Sequence, residues 1–295
     1  MRKDAFEVLA RRRVLNDDIK FSKALEANYD DPQDEVERAT AAAISEYRQR
    51  KRTQWESDLF KQRTRLVTAE RALSERETKK ALNDQRVAGN KVKQYRRWLE
   101  DLDRRELKAS DSRIFPFWFA PVIADVDGER VIMPMRYHLR QNGKPEWTDR
   151  KSDGLYNARR DNLEGYWKSV FGRRHAIFVA TSFYENVSLH TFEKRDLRPG
   201  EKEQNVVLHF NPRSSEPMLL ACLWNCWQAP GKPDLFSFAA ITDGNQIAKN
   251  PAATKNFDKL CAAGLKHLTA EAIVLDHPDL FSKAAVEVAR RRLGR

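Results

Sequence analysis

Between Pro32 and Pro116 the chain contains no proline, and Gly89 is its only glycine. Those two residue types are the strongest punctuators of backbone structure. The stretch is dense in Ala, Glu, Gln, Lys, Arg and Leu, which lose least on entering a helix. Trp55, Leu59, Leu66 and Leu73 recur at spacings of four and seven, and Val92, Tyr95, Leu99 and Leu102 form a second such series, so each set occupies one helical face. A single helix over the whole stretch would reach about 110 Å at 1.5 Å per residue. The turn-prone "NDQRVAGN", residues 83–90, offers a place to fold back. The spacing predicts a helical appendage over residues 1–110, two long helices hairpinned at 83–90, with one continuous helix as the alternative.

The charges on these helices alternate in sign, as in "EYRQRKRTQWESD". That pattern fits a solvated face, a basic arm along a nucleic-acid backbone or a short coiled coil binding a partner, although the apolar seam does not hold for three or four clean heptads. The whole chain carries 54 Lys and Arg against 43 Asp and Glu, a formal net charge of +11. Such a balance favours polyanionic partners, with a solvated mixed-charge surface as the other reading. Cys222, Cys226 and Cys261 contain no CxxC pair, which argues for a reducing compartment and against a structural zinc site. No metal and no cofactor are expected. "MRKDAFEVLARRR" places acid and base where a signal peptide needs an apolar core, and no apolar run approaches bilayer length. The expectation is a cytoplasmic protein without a membrane span.

From Ile114 to Thr242 the texture changes. "FPFWFAPVIADVDGERVIMPMRYHL" reads as two strands joined at Asp127-Gly128. "AIFVATSFYE", "NVVLHF", "MLLACLW" and "LFSFAAIT" are further β-branched or aromatic strands separated by turn-rich segments. A short helical stretch is expected around "NLEGYWKSVF", and helix returns from about residue 245. The fold class is therefore α+β: a mainly antiparallel β core over 111–295, preceded by the helical appendage and followed by a helical C-terminal tail.

Polar groups gather at the mouths of the apolar segments. Asn157 and Arg159 lie two apart in "YNARRDNLEG", which reads as a polar loop, and Glu185 ends "AIFVATSFYE". Taken alone, the first two also fit an Asx-turn and a surface ion pair, and Glu185 also fits a strand leaving the core. Cys222 and Cys226 read as small buried residues, and Trp224 and Trp227 as core more readily than as base-stacking platforms.

In order, the β-rich half presents Asn157-Ala158-Arg159, Phe183-Tyr184-Glu185, Leu220-Ala221-Cys222-Leu223-Trp224 and Ala240-Ile241-Thr242. This series resembles the SOS response-associated peptidase (SRAP) family, the abasic-site processing proteins, in its long-insertion branch. The resemblance implies a protein that binds single-stranded DNA and reacts covalently with abasic sites, a peptidase- and lyase-like activity. The family's nucleophile is a cysteine directly after the initiator methionine. Its α-amine, partly neutral near pH 8, forms an imine with the sugar aldehyde, and the adjacent thiolate closes on it to give a thiazolidine. By resemblance Asn157 holds the sugar or the N-terminus, Glu185 shuttles protons, and Arg159, with Arg160 and Arg136, grips the DNA. A histidine from a later His-Asp-Arg motif completes the set.

The chain opens Met1-Arg2 and carries no cysteine at position 2. The expectation is a true start, beginning Met-Cys, on the order of twenty residues upstream, and an impaired covalent step in the present chain. No His-Asp-Arg follows "FAAITD"; His267 and His277 are the histidines available there, and His267 is the candidate, with a surface helix histidine as its other reading. The alternatives from other classes are a non-catalytic single-stranded nucleic-acid-binding protein and a helical scaffold. The sequence sets no oligomeric state.

Overall fold

The computed structural model describes residues 2–151, 154–212 and 217–242. The chain forms two compact units, Met1–Ala120 and Pro121–Arg295. The helical tail expected from about residue 245 lies outside the described residues.

The first unit is helical. It contains α1 (Lys3–Leu15), a short strand β1 (Lys20–Phe21), α2 (Lys23–Ala27), α3 (Glu35–Glu75) and α4 (Lys79–Asp103). Ser22, Asp34 and Thr78 cap the last three, each side chain accepting a backbone N–H of the first turn. β1 pairs in parallel with the first residues of β2 (Trp118–Val126), where Phe21 meets Phe119 edge-on at 6.3 Å. Buried Phe6 packs against Phe21 and Tyr29 beneath α1. Glu26, itself buried, takes Arg13 at 2.5 Å and Arg48 at 2.8 Å.

α3 and α4 pack along the faces read from the sequence, with Trp55 and Trp98 rings 5.2 Å apart and Ala69, Ala81, Ala88 and Val92 buried. The turn between them falls elsewhere than expected. Residues 76–78 make it, with Arg76 extended and Thr78 as the cap, whereas 83–90 lie inside α4. The turn formers there have side-chain outlets compatible with helix: Asn83 accepts from Arg86 at 2.9 Å and Asp84 pairs with Arg65 at 2.5 Å. Gly89 adds only the ordinary propensity cost of about 1 kcal/mol.

The second unit is a β barrel. β3 (Glu129–Tyr137), β4 (Asn157–Arg159), β5 (His175–Ala180), β8 (Met218–Trp227) and β9 (Leu235–Thr242) join β2, while β6 (Phe183–Ser188) and β7 (Asn205–Phe210) form a separate two-stranded ribbon, with a short α5 (Leu189–Phe192) between them. Strands β2, β3, β9, β8 and β5 neighbour one another in that order, and β5 pairs back onto β2, so the sheet closes on itself. Closure removes the free edges a sheet would otherwise expose. The β2–β3 hairpin turns at Asp127 and Gly128, both at positive φ (55° and 84°), as a tight turn between twisted strands requires. "AIFVATSFYE" is not one strand: it breaks at Thr181-Ser182, where β5 ends and the ribbon begins. The helix expected around "NLEGYWKSVF" is instead a 3₁₀ turn at Arg160–Asn162 followed by further turns. There the Asn162 side chain accepts the Tyr166 N–H at 3.1 Å and its carbonyl accepts Trp167 N–H, a local alternative to a regular helix.

Alternation along the strands divides the barrel wall. Leu139, Ala158, Leu163, Trp167, Val170, Leu223 and Ala239 form one outer core, and Ile123 and Ile177 another. The segment after β3 is clamped to the outer face by Asp149. Its carboxylate takes Arg140 at 2.5 Å and Arg136 at 2.8 Å, and all three side chains are buried or nearly so. Arg140 also stacks on Trp227 at 4.4 Å, accepts Asn225 Nδ2–H through its carbonyl at 2.7 Å, and donates its N–H to Ser237 Oγ at 3.1 Å. Burial by itself would raise the Asp149 carboxyl, but Arg140 and Arg136 outweigh it and hold it below the ordinary carboxylate value.

Replacing Asp149 by Asn leaves two guanidinium groups in a low-dielectric site, and the expected loss is about 3–5 kcal/mol in urea unfolding at neutral pH. Because the folded pKa is depressed, Asp149's contribution is full above the ordinary carboxylate value and disappears as pH falls through the lowered one. The stability difference between wild type and Asp149→Asn should therefore shrink in acid.

Candidate functional site

β4 places the amide and the guanidinium. It pairs in parallel with the end of β9: Asn157 with Ala240, Ala158 with Ile241, Arg159 with Thr242. Registered neighbours present their side chains on the same face of a sheet. Ala158 belongs to the outer core together with Ala239, so Asn157 and Arg159 share the inner face with Ala240 and Thr242. The Asn-Ala-Arg step is thus a short strand with one small residue sealed against the wall and two polar residues turned to the lumen side. Asn157 is half-buried and Arg159 exposed, which orients β4 outward along the barrel towards its rim.

The register carries the Asn157 level around the wall. Asn157 lies beside Ala240, Ala240 pairs with Cys222, Cys222 with Ala176, and Ala176 with Ala124. Every neighbour in that row is an alanine or a cysteine, and all four are buried. One step deeper the residues are large: Phe238 is registered with Tyr137 on one side and Trp224 on the other. Tyr137 stacks on Phe238 at 5.1 Å and meets Tyr156 edge-on at 5.6 Å, and Phe178 lies 5.5 Å from Phe238. A row of small side chains thus lies next to a layer of aromatic ones. Burial pushes the Tyr137 hydroxyl and the Cys222 thiol well above their usual values, so both stay protonated at neutral pH.

Glu185 sits on the ribbon. β5 ends at Ala180, registered with the first residue of β8, Met218; this is the end of the barrel at which Thr242 and Arg159 lie. β6 and β7 rise from it, Glu185 opposite Leu208 on the half-buried face. Phe183 and Phe210 stack at 4.5 Å on that face, and Tyr184 and His209 stack at 4.3 Å on the exposed one. Arg160 opens the 3₁₀ turn after β4 and is exposed. Arg159 makes a forked pair with exposed Asp161 at 2.6 and 3.1 Å, which holds the Asp161 carboxyl below its usual range.

Arg136 occupies a different place. It is registered with Ser237, on the outer face, and belongs to the Asp149 clamp. His267 lies outside the described residues. Tyr137, Tyr156 and the alanine row were not legible as neighbours of Asn157, because only strand pairing and ring contacts across the sheet bring them near one another. Among the described residues no group of three His, Cys, Asp or Glu is placed to hold a metal ion, and no helix is long and apolar enough to cross a membrane.

The SOS response associated peptidase (SRAP) profile matches residues 71–250, which include β4, the ribbon and the whole barrel. The chain belongs to the SRAP family. No curated protein matches it. A crystal structure of a structural-genomics target from Bordetella bronchiseptica is similar over 46% of this chain and 62% of its own, at 16% identity and a TM-score of 0.36. The match thus spans under two thirds of that protein's length. In this SRAP chain, the motif residues Asn157, Arg159 and Thr242 lie on one inner face at the rim, Leu220 and Cys222 share that face on β8, and Tyr184 and Glu185 lie on opposite faces of the ribbon.

Cys222 is fully buried and Cys226 half-buried. A thiol shut from solvent with a raised pKa is inert to alkylation. Iodoacetamide at pH 8 should leave the Cys222 peptide unmodified in the native protein and modify it fully in guanidinium, as peptide mass spectrometry would show.

Proposed function

We propose that this SRAP chain binds single-stranded DNA across the barrel rim and takes the sugar of an abasic site into the recess beside Asn157. The observation that carries the reading is the inner face of β4: an amide over a row of alanines, with a guanidinium two residues nearer solvent. A nucleotide without its base needs a narrow polar recess, not a base pocket. Asn157 can bond a sugar hydroxyl or aldehyde oxygen without titrating near neutrality. Arg159 and Arg160 supply the phosphate contacts. Glu185, on the ribbon that rises from the same end of the barrel, is the proton shuttle for aldehyde chemistry. The Arg159–Asp161 pair is exposed and correspondingly weak, so a phosphate can displace it. The stacked Tyr184–His209 face offers a neighbouring base a flat surface.

The test is fluorescence anisotropy with two single strands that differ in one abasic position. The wild type should prefer the abasic strand, and Asn157→Ala should abolish the preference while leaving affinity for the intact strand within about twofold. Equal wild-type affinity for the two strands overturns the recess.

Asp161→Asn removes one carboxylate from Arg159 and should tighten single-strand binding by up to about fivefold at low salt, the worth of an exposed ion pair. Glu185→Gln should preserve affinity and slow formation of a borohydride-trapped adduct by about 10²–10⁴-fold. An unchanged trapping rate removes Glu185 from the chemistry.

A further inference from the structure

The helical unit distributes its charges unevenly. On α3 the cations are largely answered: Arg48 by Glu26, Lys51 by Asp17, Arg52 by Asp103, and Arg65 by Asp84. On α4, Lys79, Arg86, Lys93 and Arg97 are all exposed. Between Lys79 and Arg97 the sequence holds a single acid, Asp84, and Arg65 of α3 already takes it. Among the described residues none of these four cations is paired with a carboxylate.

Their spacing is the second observation. At 100° per residue, positions 79, 86, 93 and 97 fall within about 40° of one another. They lie opposite Ala81, Ala88 and Val92, which are buried. The cations therefore form a straight line down the outward face of α4, about 27 Å long at 1.5 Å per residue.

From this we infer that the outward face of α4 docks on the phosphate backbone of double-stranded nucleic acid. A line of unmatched Lys and Arg calls for a polyanion of similar length, and 27 Å is about eight base pairs at 3.4 Å each. The rings of α4 itself, Tyr95 and Trp98, pack on each other and on Trp55 and lie off the line of cations, and the exposed Phe60 belongs to α3. Without stacking platforms a rigid helix face reads phosphates alone, as suits a duplex. The face carries one exposed leucine, Leu82, which is too little apolar surface for a helix lying in a membrane interface. The docking is independent of the barrel recess: it requires neither an abasic site nor Arg159.

The experiment uses the full chain and an intact duplex of about twenty base pairs, with anisotropy recorded over a salt series. The variant Lys79→Gln/Arg86→Gln/Lys93→Gln/Arg97→Gln, with its helical circular dichroism checked, should lower the slope of log K against log salt by about 3 to 4, at about 0.9 per phosphate contact. One control accompanies it: Arg63→Gln/Arg71→Gln on α3, which should leave duplex binding within about twofold. An unchanged slope in the α4 variant overturns the inference, as does an equal loss in the α3 control, which would reduce the effect to net charge. Binding to vesicles containing phosphatidylserine with the same α4 dependence, and none to the duplex, overturns it in favour of a lipid surface. Because the probe has no abasic site, failure here leaves the single-strand assay of Asn157→Ala intact, and failure there leaves this result standing.

Discussion

Everything at the candidate site hangs on one carboxylate on the far side of the wall. Asp149 ties Arg136, still in β3, to Arg140, just after it. That clamp, with Ser237 and Asn225 fastening the Arg140 backbone, holds the chain against the barrel where β3 stops. The consequence appears along β9. Its first half pairs with β3, at Ser237 and Phe238, and its second half with β4, at Ala240 to Thr242. One strand hands its place to another, and only because it does so can Asn157 stand level with Ala240. A buried charge cluster is a weak source of net stability, yet here it fixes which segment completes the wall.

Much of the architecture was legible from local chemistry. The Asp127-Gly128 turn and the apolar run "MLLACLW" each report a local preference that the tertiary structure keeps. What escaped is what register decides. Arg136 and Arg159 look alike in sequence, each a basic residue beside an apolar segment, but the first is registered with Ser237 and the second with Thr242, so they face opposite sides of the sheet. No local pattern records that parity. β4 is three residues long, too short for alternation to show. "AIFVATSFYE" kept an apolar texture through its break, because β5 and the ribbon both bury a face. The helix-hairpin turn was misplaced because Asn83 and Asp84 found side-chain partners within the helical unit, and a turn former so satisfied costs a helix little.

The site also separates what family membership supplies from what this chain builds. Membership brings the ordered motifs. The chain's own structure places an amide on the inner face, a guanidinium nearer solvent, and a carboxylate on a separate ribbon whose two faces are each fastened by a ring stack. Polar recognition groups carried on strands are held more firmly than they would be on loops, and the alanines around Asn157 are as much part of that arrangement as the polar atoms.

Those alanines have an evolutionary corollary. The space of the proposed recess is shared among positions as far apart in the chain as Ala124 and Ala240, each on a different strand. No one of them owns the space, so a methyl group added at one strand narrows the same void that a methyl group removed at another would widen. Substitutions along this row should therefore drift in compensating pairs across lineages. The trace of the recess in related sequences would be a conserved sum of side-chain volumes and not a conserved residue.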